Sequence, residues 1–437
     1  STTNVSSATY VAYLFAHDAQ EFGAGGDESI IKCGSFTSTA LNNLGWEPAF
    51  VMMKRTDSTS GWFMVDNMRG MTASSNTTTY FGSSPYLYAN ASTAETAGGG
   101  LIAIHANGFA SGQSGTYIYI AIRRPMKVPE SGTEVFSPVD IPSNSSTNST
   151  LIETGFVTDL SLIRAAASGS TGQIYATGRL RGGKSLNTTS TAAEINTATE
   201  FDHNNGFIQA LTNAVTISWN FKRAPEFMDV VCWKGDGTSN GSHKPAHGLT
   251  VVPQFIISKV RDATDNWACL QSEAVGGAVY IMLNNTTGGN AGNLKYYYGD
   301  GTNYVPPTSS VFTVTAGGSL NVSGKAYVSY LFATLAGVSK VGSYTGTAAT
   351  LNVDCGFTAG ARFFLCKRTD ATGDWYLWDS ARGIVAGNDP YLLLNSTSAE
   401  VTNTDYVDPL AAGITLTAAG SSTINVSGGS YIFLAIA

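Results

Sequence analysis

Two stretches of the chain carry the same spaced set, W-x-x-x-D-x-x-R-G. One is Trp62, Asp66, Arg69 and Gly70; the other is Trp375, Asp379, Arg382 and Gly383. These residue types suit a carbohydrate site, where an indole lies on a sugar face while a carboxylate and a guanidinium exchange hydrogen bonds with hydroxyls. They also suit a strand end at which the charged pair satisfies itself and the Trp fills a core. The spacing favours this second reading, because residues four apart in a strand share a face: Trp62 with Asp66, and Trp375 with Asp379. A further candidate is the loop KYYYGDGTNYVPP, Lys295 to Pro307, where Tyr296 and Tyr298 are expected to present an exposed aromatic patch to a ligand.

Other groupings offer less chemistry. Lys54-Arg55-Thr56-Asp57 and Lys367-Arg368-Thr369-Asp370 read as turns in which Asp caps backbone amides, rather than as anion sites. His243 and His247 have a metal-like spacing, but Pro245 and Gly248 put them in a loop with no third ligand nearby, so no metal is expected. No cofactor is expected either. The sequence has no Gly-x-Ser-x-Gly elbow, phosphate loop or Cys/His dyad, and no carboxylate pair that could be assigned as glycosidase acid and nucleophile. The five cysteines lie in apolar contexts without CxxC spacing and read as small buried hydrophobes. Asn-x-Ser/Thr triplets such as those starting at Asn90, Asn187 and Asn395 are attributed to composition. A net charge of −7 argues against nucleic acid as a partner. No apolar run approaches the roughly 20 residues that span a bilayer, so membrane insertion is not expected.

The elements that must hold these residues are strands. Gly, Ser, Thr and Asn dominate, only 13% of residues are charged, and Tyr and Phe number 20 each. That is the makeup of short strands joined by tight turns. One aromatic strand recurs as YVAYLFA from Tyr10, YIYIAIR from Tyr117, TISWNFK from Thr216, YVSYLFA from Tyr327 and YIFLAIA from Tyr431. Apolar runs such as AFVMMK, FIISKV and RFFLCK are strand-length and carry too little alternation for a half-solvated strand, so both faces are expected to be covered. The expected fold is all-β: a tandem array of four antiparallel β-sandwich units of a jelly-roll or lectin-like kind. Residues 1–16 are read as the terminal strand of a preceding, truncated repeat. Units follow at 17–125, 151–224, 225–334 and 335–437, with a Pro-, Ser- and Asn-rich linker at 126–150. The second unit is the most diverged, and the first is expected to be tethered loosely while the other three stack rigidly.

KRTDSTSGWFMVDNMRG, DPYLLLNSTSAE, NVSGGSYIFLAIA and TYIYIAIRRPMKVPESGTEVF resemble a family of tandem β-domain virion structural proteins of marine tailed phages. The resemblance implies a tail-fibre or capsid-fibre role on the virion exterior and supplies no catalytic residues. On this reading the chain is not an enzyme. It attaches passively to a host-surface glycan or receptor and contacts other virion proteins. It also forms a homo-oligomer, for which three copies is the usual number in such fibres. The alternatives are a decoration protein that clamps capsid or tail subunits, and a polysaccharide depolymerase.

Overall fold

The computed structural model describes residues 6, 9–10, 12–17, 29–37, 41–66, 86–96, 102–105, 107–124, 127–141, 150–165, 172–197, 199–201, 203–209, 215–318 and 320–437. Its regular structure is strands in antiparallel sheets, with a four-residue helix at Leu294–Tyr297 and a few 3₁₀ turns.

Four units share one main-sheet plan. The aromatic strand that repeats in sequence pairs on one side with the first strand of its unit and on the other with the apolar run. In the fourth unit Ser430–Ile436 lies between Ser339–Thr345 and Phe363–Arg368, which pairs onward with Trp375–Asp379. In the third, Ala326–Phe332 lies between Met228–Lys234 and Phe255–Val260, followed by Ala268–Gln271. In the first, Thr116–Arg123 lies between Ile31–Thr37 and Pro48–Arg55, followed by Trp62–Asp66. In the second, Val215–Phe221 lies between Phe136–Asp140 and Leu160–Ala165, followed by Gln173–Thr177. Register fixes the equivalences: Leu160↔Phe221, Phe255↔Phe332, Phe363↔Ile436 and Phe50↔Ile122 are the same pair in four settings.

The segment 126–150 therefore contains more than a linker. Phe136 is fully buried, and Phe136–Asp140 is the opening strand of the second unit. Its Pro138 and flanking Ser and Asn residues mask the pattern, and it tolerates Pro because it lies at the sheet edge. Gly132 just before it passes so close to the C-terminus that a Cβ would sit 1.9 Å from the Ala437 carbonyl oxygen.

The described part of residues 10–16 forms no strand; Tyr13, Leu14 and Phe15 are exposed. Each later copy is held by a first strand and an apolar run of its own unit, a pairing not formed by the described part of the Tyr10 copy. Its described neighbours are in the first unit, where His17 Nδ1 lies 3.1 Å from the Cys33 carbonyl oxygen.

Both faces of the main sheets are used. The inner face packs within its own unit: Phe364, Cys366, Trp378 and Phe433 face the small sheet of Leu351–Asp354, Val407–Leu410 and Gly413–Leu416. The outer faces of units two, three and four meet in one core. Ile217, Trp219 and Phe221, then Val328, Tyr330 and Phe332, then Ile432, Leu434 and Ile436, occupy the same positions of the repeated strand and share this core. Phe221 lies 5.8 Å from Phe332 and 5.9 Å from Phe363, ring centre to ring centre. Units two to four are thus not independent sandwiches. They are three sandwiches whose outer main-sheet faces seal a common apolar centre.

Four cysteines are buried, Cys33 is partly so, and all five are unpaired; burial pushes the Cys366 and Cys355 thiols up to about 12.

Candidate functional site

The second copy of the Trp–Asp–Arg set is a joint. Trp375 is 1% exposed; its ring stacks on Phe255 of unit three at 5.9 Å, and its Nε1 donates to the Met282 carbonyl at 3.0 Å. Asp379 is fully buried and accepts from Trp219 Nε1 of unit two at 2.8 Å and from Arg382 Nε at 2.6 Å. Arg382 also donates to Glu400 at 2.8 Å, and its guanidinium lies 5.5 Å from the centre of the Trp219 ring. A sugar cannot reach this set, so the ligand-binding assignment does not hold for Trp375, Asp379 and Arg382. In the first unit, Trp62 and Asp66 share a half-buried face of Trp62–Asp66, and Arg69 lies outside the described residues.

The same joint is built three times, and it closes a ring. Gly373 N–H of unit four donates to the Thr286 carbonyl of unit three at 2.9 Å. Asp265 N–H of unit three donates to Thr191 of unit two at 2.8 Å, and Gly172 N–H of unit two donates to Thr397 of unit four at 3.2 Å. Long cations follow the same circuit. Lys367 Nζ reaches Asn285 O at 3.4 Å, Lys259 Nζ reaches Thr191 O at 3.2 Å, and Arg164 Nη2 reaches Ser398 O at 3.0 Å. So do the indoles of Trp375, to Met282, and Trp267, to Asn187. Burial pushes both Lys259 and Lys367 down to about 8, the cost of taking an ammonium out of water, which the carbonyl acceptors only partly offset.

Sequence reading missed these contacts although their words were visible. In two of the Asn-x-Ser/Thr triplets the Asn accepts from the backbone N–H of the equivalent Trp of its unit: Asn395 Oδ1 from Trp375 at 2.9 Å and Asn90 Oδ1 from Trp62 at 2.8 Å. Asn284 Oδ1 takes the same bond from Trp267 at 2.8 Å. The residue two places on from this Asn in units three and four, Thr286 and Thr397, supplies the ring carbonyl. The triplets therefore have a structural role that composition does not explain. The Lys-Arg-Thr-Asp turns match the capping reading, with Asp57 Oδ2 accepting from Thr116 N–H and Asp370 Oδ1 from Ser430 N–H.

Tyr296 and Tyr298 do not form one patch. Tyr296 is 39% exposed under the Lys295 ammonium, whereas Tyr298 is buried and donates to the Ala268 carbonyl at 2.9 Å. Tyr298 faces inward because its short helix packs over the third unit's main sheet. His243 Nδ1 lies 2.9 Å from Asp236 Oδ2, and His247 Nε2 lies 3.1 Å from the Thr308 carbonyl. Among the described residues no three His, Cys, Asp or Glu side chains are grouped to hold a metal, and no helix is long and apolar enough to cross a membrane.

A second polar cluster joins unit one to the ring. Arg223 Nη1 and Nη2 each donate to a Glu47 carboxylate oxygen at 2.7 Å, and the backbone N–H of Arg223 donates to Asp159 at 2.7 Å. Arg124 lies 3.4 Å from Asp229, which also accepts from Gly248 N–H at 2.7 Å. These side chains are nearly all buried, so the first unit is docked on units two and three rather than loosely tethered.

Asp389 is the buried acid with least compensation. It accepts from Val385 N–H at 2.7 Å, but its second oxygen has no partner among the described residues. Burial, with Asp408 and Asp405 nearby, pushes it up to about 7 from 3.8. The native state therefore holds this proton while the unfolded chain has lost it, so stability falls as pH rises from about 4 to about 7. Asp389→Asn is expected to flatten that slope, gaining on the order of 3 kcal/mol at pH 8, read by urea denaturation at several pH values. Parallel slopes in both proteins would contradict it.

The fold and joints define a modular all-β protein whose repeated aromatic and charged words serve contacts between its own units. The chain belongs to the family described as the domain of unknown function DUF7483, whose model matches residues 1–124 and 225–437. The second unit, the most diverged in sequence, falls outside the match. No curated protein and no solved structure matches the chain.

Proposed function

We propose that this chain is a structural and attachment component of a phage virion exterior, a fibre or spike element that works by assembly and passive binding. The observation that supports it most is the closed ring of units two to four. Aromatic residues, ammonium groups and carboxylates that could have formed a site are used to join three sandwiches around one core. What remains outside is rich in Ser, Thr, Asn and Gly, side chains that offer adaptable hydrogen bonds to a glycan at low cost in entropy. Repeated weak contacts on an oligomer would add through avidity.

Immunogold labelling of intact particles from the phage that encodes the chain tests the reading. Gold on the tail or shell surface is expected, and labelled lysate beside unlabelled particles would overturn it. Release of reducing ends from host polysaccharide would favour the depolymerase instead.

A further inference from the structure

The first unit carries the outer sheet face that the other three bury. By register, Ile118, Ile120 and Ile122 stand where Ile432, Leu434 and Ile436 stand in the fourth unit, and Phe50, Met52, Trp62 and Met64 where Phe363, Leu365, Trp375 and Leu377 stand. In unit four these residues are in the common core. In unit one Ile118 is 41% exposed, Phe50, Met52, Trp62, Met64 and Ile122 are half-buried, and of the set Ile120 alone is buried, at 8% exposure. The local machinery of the ring is nevertheless in place. Asn90 holds the Trp62 amide as Asn395 holds that of Trp375. Lys54 Nζ donates to the Ser60 carbonyl at 2.7 Å, the counterpart of the bond from Lys367 Nζ to the Gly373 carbonyl.

We infer that this face is an assembly surface, and that three copies of the chain join through their first units around a threefold axis, repeating between chains the ring that units two, three and four make within one. The occupant follows from what seals the same face elsewhere in the molecule: the same face of another unit, twice. An aliphatic strip of three isoleucines flanked by Trp and Met matches its own kind in shape and polarity, and the ring's donors and acceptors run one way round, as a cyclic assembly requires. In the assembly Trp62 Nε1, which has no partner among the described residues, donates to the Tyr88 carbonyl of the next copy, as Trp375 does to Met282. Ser60 N–H donates to the next copy's Ser92 carbonyl, as Gly373 does to Thr286. This deepens the assembly part of the proposed function and can fail apart from it. Gold labelling reports where the chain sits, whereas the experiment below reports what the face binds.

Light scattering after size exclusion, on the 437-residue chain over a hundredfold range of concentration, is the test. A species of three times the chain mass is expected, dissociating on dilution, with blue-shifted Trp emission in the trimer as Trp62 leaves water. Ile118→Asp, at an exposed position, should give a monomer whose unfolding transition is unchanged. Trp62→Phe keeps a ring but loses the donor, and should raise the dissociation constant about tenfold, the equivalent of 1.4 kcal/mol. A monomer or dimer at every concentration overturns the inference. So does a trimer that Ile118→Asp leaves intact, since it would be held by another surface.

Discussion

Trp375→Ala is expected to destabilise the protein by about 3–5 kcal/mol, as large-to-small changes at fully buried aromatic positions do. Trp62→Ala, the same change at the equivalent position, should cost the isolated monomer far less. The difference lies in surroundings and not in the local chain. Both tryptophans open the same strand and have their amides held by the same Asn. Trp375 fills a space between two units and ties its N–H to the Met282 carbonyl, so its loss leaves a cavity and an unmet acceptor. Asp379→Ala should cost a comparable amount, about 3–5 kcal/mol, because it strands the Arg382 guanidinium and the Trp219 N–H in a buried joint. Asp379→Asn should recover part of this, since an amide oxygen still accepts from Trp219. The measurement is guanidinium-induced unfolding followed by Trp emission, with each variant compared at the transition of units two to four. Equal, small effects at Trp62 and Trp375 would mean that the outer faces do not seal a common core.

How much of this was legible in the sequence depends on the range of the contact. Strand class, the repeat and the turn role of Asp57 and Asp370 follow from local pattern, because alternation, turn residues and capping act over a few residues. The shared face of Trp375 and Asp379 was legible for the same reason. What faced them was not: the partners of Asp379 and Trp375 are Trp219 and Met282, in other units of the repeat. The unalternated runs FIISKV and RFFLCK did signal that both sheet faces are covered, which is the trace the ring leaves in sequence. AFVMMK carries the same signal, but its outer-face Phe50 and Met52 are only half-buried, so the expectation does not hold for the first unit. The Asn-x-Ser/Thr words left another trace, hidden by a background rich in the same residues. Phe136–Asp140 was concealed because an edge strand tolerates Pro, and Tyr298 because a run of three tyrosines does not say which one turns inward.

The buried charges beneath unit one support the other large effect. Arg223 is surrounded by Glu47, Asp159 and Asp229, at 2.7, 3.4 and 3.7 Å. Burial opposes its charge, yet these three carboxylates overcome it and hold the guanidinium protonated beyond its ordinary range. Asp229 is the mirror case: burial works to raise it, and Arg124 and Arg223 bring it below the usual carboxylate value of 3.8. Arg223→Ala removes the cation from among three carboxylates and should cost about 3–5 kcal/mol at the joint, the penalty for breaking a buried pair on one side. Since units two to four keep their own core, the loss should appear as release of unit one and not as global unfolding. Limited proteolysis reads this directly, with cleavage between Arg124 and Ser131 speeding up while fragments of units two to four stay protected. Acid should do the same to the unaltered protein. A depressed carboxyl stabilises above 3.8 and loses that contribution as pH falls through its folded value. Undocking, which takes Arg124 away from Asp229, is therefore expected below about pH 4, and Arg124→Ala should remove most of its acid dependence. If Arg223→Ala leaves cleavage unchanged at pH 7, the first unit is held by something other than these charges.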